Sequence, residues 1–497
     1  MTSKERDFLD SIIADSDDDM ARLVFADWLE ENHNPERAEF IRVQIDRARL
    51  PHWDVRQVKL RIREQELLKK FEKVWRAELP DIKDVKYEGF HRGFVSAVKF
   101  KDFESMKAHI AECRRATPID AARVQWPRND DSLKGMPDLP WLRHLTVLGQ
   151  QFNTKEVTRL ATSPILSTLR TLNVSESALG IKGFRKLLSS PYLGNLRSLN
   201  AAKNSIGNKG PKALAKAKSL TSLEELDLSD VSTYGGYGGG YDPKLKETGL
   251  KELVNWPGMK RLRSLSISGS DIGRVGLQYL LSSENAVGLK KLVIRDSDMF
   301  GQAMLEFGLA HKDLQLEELD LSMNMLEDFG FENLASAGCL EELKVLNLET
   351  CEIGPNGLRE LAWSPFISSL RLLNLKENDI EAEGVKYLLD AGPKELHTLS
   401  LRFNRLRHDA VDHLASSSAS NTLQELDLSQ NLLGGKVANT LAQTKELKNL
   451  QILKLKFNGF DKKDTKTLTE SPLGKRLAIL EGLPDPDQDD SKEDIPF

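Results

Sequence analysis

Asp15, Asp17 and Asp19 alternate at the spacing of the first three ligands of a calcium loop. Such a loop needs a glycine at its sixth position and a bidentate glutamate at its twelfth, and those places hold Met20 and Ala26. Turn formation and capping of a following helix account for the acidic run instead. His408, Asp409, Asp412 and His413 make the nearest approach to a metal cluster. They fall on a predicted helix that needs polar residues on its outer side, so solvated surface is the expectation. Cys113, Cys339 and Cys351 are too few for a disulfide framework and fit a reducing compartment. No HExxH, CxxC or GxSxG element stands in a plausible context, and the glycine-rich stretch 232–243 lacks the Gly-Lys-Ser/Thr of a phosphate loop. No catalytic, cofactor-binding or metal-binding residue is therefore assigned, no cofactor is expected, and the chain is not read as an enzyme.

The elements that position these residues follow from a repeat. The pattern Leu-x-x-Leu-x-Leu-x-x-Asn-x-Leu begins at Leu142, Leu169, Leu196, Leu223, Leu262, Leu289, Leu316, Leu343, Leu370, Leu396, Leu423 and Leu450. The spacing is 27 residues, with one step of 26 and one of 39. A fixed period of this length specifies a leucine-rich repeat solenoid, α/β in class, in which each unit is a strand, a turn, a helix and a return. In the unit starting at Leu343, Leu346, Leu348 and Ile353 face inward by strand alternation, and Leu358, Leu361 and Ala362 recur at helical spacing. Pro365 then ends the helix. The expected shape is a horseshoe, with parallel strands on the concave face and helices on the convex face. Position nine of the pattern is Asn204, Asn324, Asn378, Asn404, Asn431 and Asn458, with Gln150, Ser177, Ser270, Ser297 and Cys351 elsewhere. A buried polar side chain at a bend must bond the backbone of neighbouring turns, so this ladder is structural and Cys351 belongs to it. Repeat four departs from the pattern, with Val231 at that place.

Ahead of the repeats, apolar residues at helical spacing predict helices near 5–13, 20–31, 38–50 and 55–79. Residues 89–100 read as a strand, 103–115 as a helix, and Ile119, Ala122 and Val124 as a degenerate first repeat strand. The matching residues Phe8-Leu9-x-x-Ile12, Asp17-Asp18-Asp19, 22–31 (RLVFADWLEE) and 37–44 (RAEFIRVQ) resemble the repeat-companion domain, a short N-terminal domain of large repeat-protein families in certain bacteria. That resemblance implies no activity. The 27-residue unit, with Ile272-Gly273-x-x-Gly276 and Ile353-Gly354-x-x-Gly357, resembles the ribonuclease-inhibitor-like class of leucine-rich repeats. The expected organisation is a helical repeat-companion module over 1–50, a bridging helix over 51–88, an N-terminal cap over 89–139, the solenoid with a C-terminal cap over 140–483, and a disordered acidic tail over 484–497.

Composition narrows the partner. The chain of 497 residues carries 70 basic and 75 acidic side chains, a net of −5, which argues against nucleic acid as the main ligand. No uninterrupted apolar run reaches membrane-spanning length and no apolar leader opens the chain, so a cytoplasmic protein without membrane contact is expected. Solenoids present extended binding surfaces, so the expected function is a non-catalytic protein–protein interaction scaffold with an unidentified protein partner. The alternative is a regulator of a partner enzyme, as the GTPase activators of this repeat class are. Three sets of residues stand out as contacts. Arg402, Phe403, Lys454, Lys456 and Phe457 combine exposed aromatics with cations near the C-terminal end. Glu225, Asp227 and Asp230 form an acidic set, with Glu318, Asp320 and Glu349 further along. Tyr234, Tyr237 and Tyr241 lie in the 12-residue insertion that makes the 39-residue step, where tyrosine and glycine pair contact area with adaptability.

Overall fold

The computed structural model describes residues 2–126, 133–149, 154–230 and 244–484. The chain divides into two compact units, Met1–Leu289 and Lys290–Phe497.

The first unit opens with four helices: α1 (Ser3–Ala14), α2 (Asp19–Glu31), α3 (Pro35–Arg49) and α4 (Arg56–Arg76). Each start has a chemical cause. Thr2 and Glu5 form a reciprocal capping box at α1, Asp18 accepts from the Met20 amide at α2, and Pro35 opens α3 where its missing N–H is not needed. The acidic run thus caps and turns the chain, since Asp15 also accepts from the Asp17 amide at 3.1 Å. Leu9, Ile12, Phe25, Ala26, Leu29, Ala38, Ile41 and Ile45 form the core of α1–α3, and Phe94 completes it from outside the helices. Helix α4 packs on α3 through a second core of Phe40, Leu67 and Trp75.

Phe94 reaches that core because residues 89–100 are not one strand. They form a hairpin, Phe90–His91 against Phe94–Val95, followed by a strand over Ala97–Phe100. The break falls at Arg92 and Gly93, with φ of 49° and 88°. Gly93 sits on α3, where a Cβ would lie 2.4 Å from Ile41 Cγ1, and its amide donates to Gln44 Oε1 at 2.7 Å. Only glycine allows that approach. From there strands Val85–Tyr87 and Ala97–Phe100 pair antiparallel. Parallel strands follow at Ala121–Gln125, His144–Leu148, Thr171–Asn173, Ser198–Asn200, Glu225–Asp227 and Ser264–Ser266. The four-helix segment is tied to these strands by Arg170–Asp17 (2.9 Å) and by Arg114, which donates to the Ile13 carbonyl. Burial raises Asp17, but Arg170, Arg143 and Arg92 outweigh it and hold the carboxyl below its ordinary range.

The second unit is repeats throughout. Its strands, Lys291–Val293, Glu318–Asp320, Val345–Asn347, Leu372–Asn374, Thr398–Ser400, Glu425–Asp427, Ile452–Lys454 and Ile479–Glu481, pair in parallel in chain order. The last of them holds Leu480 of Leu477-x-x-Leu480, which begins 27 residues after Leu450, within the expected C-terminal cap. Helices such as Glu327–Ala335, Pro355–Ala362 and Glu381–Asp390 return the chain and pack on one another. The central leucine is buried in the first seven of these strands and half-buried in the last, and Leu343, Leu346, Leu348 and Ile353 are all 0% exposed. Each such side chain contributes about 1.5–3 kcal/mol. This is a leucine-rich repeat solenoid preceded by a helical region.

Adjacent turns meet so closely at one place that only glycine fits. A Cβ on Gly301 would lie 2.4 Å from the Leu326 carbonyl oxygen and 2.9 Å from the Gly330 amide. Both are backbone atoms that cannot rotate away. Gly301→Ala is expected to cost about 3 kcal/mol, the upper end for overpacking. Gly308→Ala, where a Cβ meets nothing nearer than 4.0 Å, is the control. Urea unfolding of both variants reads the difference, and equal midpoints would refute the close approach.

Candidate partner-binding surface

Position five of the pattern explains how the strand face is built. Its Asn or Asp side chain accepts from the amide two residues on: Asn173 from Ser175 (2.9 Å), Asn200 from Ala202 (3.0 Å), Asp227 from Ser229 (2.9 Å), Asn374 from Lys376 (3.1 Å) and Asp427 from Ser429 (2.9 Å). These Asx turns bend the chain out of the strand. The polar residues that recur at this position therefore have a structural cause that periodicity does not reveal.

Beyond that bend, position eight adopts left-handed backbone: Lys203, Met323, Thr350, Glu377, Phe403, Gln430 and Phe457 have φ between 50° and 60°. Non-glycine residues seldom stand there, and the cross-turn bonding holds them. The Phe403 amide, for example, donates to the Ser429 carbonyl at 3.0 Å. The conformation turns the side chain outward. Phe403 is 54% and Phe457 57% exposed. They stand two turns apart, about 10 Å at the usual strand spacing. Arg402 Nε donates to Gln430 on the intervening turn, and Lys456 Nζ lies 4.8 Å from the Phe457 ring centroid. Arg402, Phe403, Lys456 and Phe457 thus share one edge at the C-terminal ends of the strands. Lys454 does not join them. It lies on the strand face, and its ammonium is 2.8 Å from Glu425, which is itself buried.

The acidic residues divide. Glu225 is exposed on its strand, Asp227 is occupied by its Asx turn, and the Asp230 amide donates to Ser268 across the next turn. In the second unit Glu318 pairs with Lys291 (2.8 Å), Glu349 with Lys376 (2.6 Å), and Asp320 accepts from Asn347 (2.9 Å). Arg295 also lies 3.9 Å from Asp320, so all three carboxylates have a cation on a neighbouring turn and do not present an acidic patch. Tyr234, Tyr237 and Tyr241, with Val231, Gln150 and the tail beyond Pro484, lie outside the described residues.

Two features escaped the sequence reading. Phe300, Met323, Met325 and Phe329 are exposed apolar side chains of the second unit, and Phe300 bridges to Met325 of the next turn. Arg143, Arg170 and Arg197 line a cavity of about 380 Å³ with Pro140, Thr168 and Asn195. The signal for the arginines was available, since they recur at the 27-residue period just after the first leucine.

Position nine behaves as expected of a structural ladder. Asn204 accepts from the amides of Ser177 (3.2 Å) and Leu179 (3.0 Å) and donates to the carbonyls of Val174 (2.8 Å) and Ala201 (3.0 Å). Cys351 donates to the Leu321 carbonyl at 3.3 Å. Burial pushes the Cys351 and Cys339 thiols up to about 12, which leaves neither a thiolate at neutral pH. His408, Asp409, Asp412 and His413 share the helix His408–Ser416, where Asp412 accepts from Thr440 at 3.1 Å. Among the described residues no group of His, Cys, Asp and Glu is placed to hold a metal ion, and no helix is long and apolar enough to cross a membrane.

The family model described as "Leucine Rich repeat" matches residues 342–362 and 367–389. No curated protein matches the chain. Among solved structures, the yeast Rad7 and Elc1 complex is similar at 15% identity with a TM-score of 0.40, covering 92% of this chain and 89% of that one. The TLR13–ssRNA13 complex is similar at 19% identity with a TM-score of 0.41, covering 68% of this chain and 50% of that one.

Proposed function

We propose that this chain is a non-catalytic interaction scaffold that holds a protein partner at the C-terminal edge of its strand face, around Phe403 and Phe457. The observation that carries the reading is the pair of phenylalanines. Each is more than half exposed on left-handed backbone, which for Phe403 is held by its amide bond to Ser429, and each directly follows a cation, Arg402 or Lys456. Large aromatics flanked by Arg or Lys are what interface hot spots contain. A purely structural residue at this place would need no apolar surface, as Gln430 between them illustrates. Arg402 and Lys456 favour a partner surface with acidic residues around an apolar centre. Lys454, Glu225, Asp227, Asp230 and the tyrosines of the insertion are outlying contacts in this reading. We further propose a ribonuclease-inhibitor-like repeat class and a cytoplasmic location.

The double variant Phe403→Ser/Phe457→Ser tests the reading. Its thermal midpoint is expected to stay near that of the wild type, because both rings are exposed. Recovery of the partner from native-cell lysate, identified by mass spectrometry, is expected to fall on the order of 100-fold, as loss of two hot-spot side chains implies. Equal recovery with both proteins would place the contact elsewhere.

A further inference from the structure

The four-helix segment contains a cavity that the scaffold reading does not use. It measures about 200 Å³ and is lined by Glu5, Leu9, Phe25, Leu29, Asn34, Arg37, Glu78 and Phe94. That is below the ~300 Å³ of pockets for drug-sized ligands, so a molecule of one amino acid's bulk is the scale that fits.

Arg37 is the unusual wall. It is 8% exposed, and its Nη1 is buried without a hydrogen-bond partner. Four aromatic rings surround the guanidinium: Trp75 at 4.7 Å, Phe94 at 5.4 Å, Phe90 at 5.6 Å and Phe40 at 5.7 Å. They make a buried cation tolerable, but a ring face does not accept an in-plane N–H. Burial draws Arg37 down to about 10, so it remains charged at neutral pH. Glu78 lies close enough to attract it electrostatically, yet among the described residues no hydrogen bond or ion pair joins the two. Glu5 spends one oxygen on the Thr2 amide at the start of α1. Opposite charges thus share one small cavity without touching, with Leu9, Leu29 and Phe25 as an apolar side. The groups are graded by depth. Arg37 and the apolar residues are buried, Glu5 is half-buried, and Glu78 and Asn34 are exposed at the mouth.

We infer that this cavity binds a free α-amino acid with an apolar side chain. The carboxylate pairs with the Arg37 guanidinium, the ammonium with Glu78 and Glu5, and the side chain packs on Leu9, Leu29 and Phe25. A carboxylate alone would satisfy Arg37 but meet the two acidic groups at the mouth. An amine alone would leave the Arg37 cation without an anion. A molecule carrying a carboxylate and an ammonium on one carbon serves both ends.

Isothermal calorimetry on the full chain with L-leucine, 4-methylpentanoate and 3-methylbutylamine tests this. L-leucine is expected to bind, with each single-charge analogue at least about tenfold weaker. Glu78→Gln, an exposed change that spares the core, should weaken L-leucine about tenfold without weakening 4-methylpentanoate. Arg37→Gln should abolish both, and if that variant does not fold, Glu78→Gln still decides. No heat with L-leucine at about 10 mM overturns the proposal. So does 4-methylpentanoate binding as tightly as L-leucine, or L-leucine binding unchanged by Glu78→Gln.

Discussion

Leu346→Asp is expected to unfold the middle of the second unit. Leu346 is fully buried, and its strand neighbours in register are Leu319 and Leu373. A carboxylate there would stand between two leucines with no cation or amide within reach. An unpaired buried charge costs several kcal/mol even after it escapes by protonation, and the lost leucine packing adds about 2–5 kcal/mol. The sum is comparable to the whole stability of an ordinary domain, about 5–15 kcal/mol. Because each repeat contacts only its neighbours, the defect should split the solenoid, giving a low, broadened thermal transition by circular dichroism. Val345→Lys, one residue away on the outward side and opposite Glu318, should cost only about 1 kcal/mol. If the two variants melt alike, the inward and outward faces have been assigned wrongly.

That contrast also marks what the sequence could disclose. Positions one, four, six and eleven were legible because burying leucine is a periodic demand, and the strands fall where the period puts them. The edge that carries Phe403 and Phe457 was legible too, by counting from Leu396 and Leu450. What stayed hidden is set by neighbours rather than by type. Lys454 could be counted onto the strand face, but its partner Glu425 lies on a diagonal, 29 residues back rather than the 27 of the register. The left-handed backbone at position eight is imposed by bonds such as Phe403 to Ser429, and residues as different as Lys203, Thr350 and Gln430 accept it. The break at Gly93 depended on Ile41 and Gln44, half a hundred residues away in the chain. In the same way Arg37 reads from sequence as one more helical cation, and only packing surrounds it with four rings.

Asn378→Ala is expected to cost about 4 kcal/mol, far more than its size suggests. The Asn378 carboxamide is a hub: its oxygen accepts from the amides of Cys351 and Ile353, both at 3.0 Å, and its nitrogen donates to the carbonyls of Leu348 (2.8 Å) and Leu375 (2.9 Å). These groups come from two successive turns and lie at a bend where no strand ladder can serve them. Alanine would orphan two donors and one acceptor, since the Leu375 carbonyl keeps the Asn404 amide at 2.8 Å, at about 1–3 kcal/mol for each buried group left unpaired, partly relieved by water entering the gap. Ser297 holds the same place in another repeat, but its hydroxyl has a single proton to give, placed 2.9 Å from the Arg295 carbonyl, so Ser297→Ala should cost about 1 kcal/mol. Asn378→Asp separates the two halves of the hub. It keeps the acceptor but turns a carboxylate toward the carbonyls of Leu348 and Leu375, which raises the folded-state pKa of the new group. Its stability should therefore be lowest at neutral pH and recover as the pH falls through that raised pKa toward the unfolded value near ~4, because protonation restores one donor. Urea unfolding across this pH range reads all three variants. An Asn378→Ala midpoint matching that of Ser297→Ala would mean that water, not the amide, satisfies the bend.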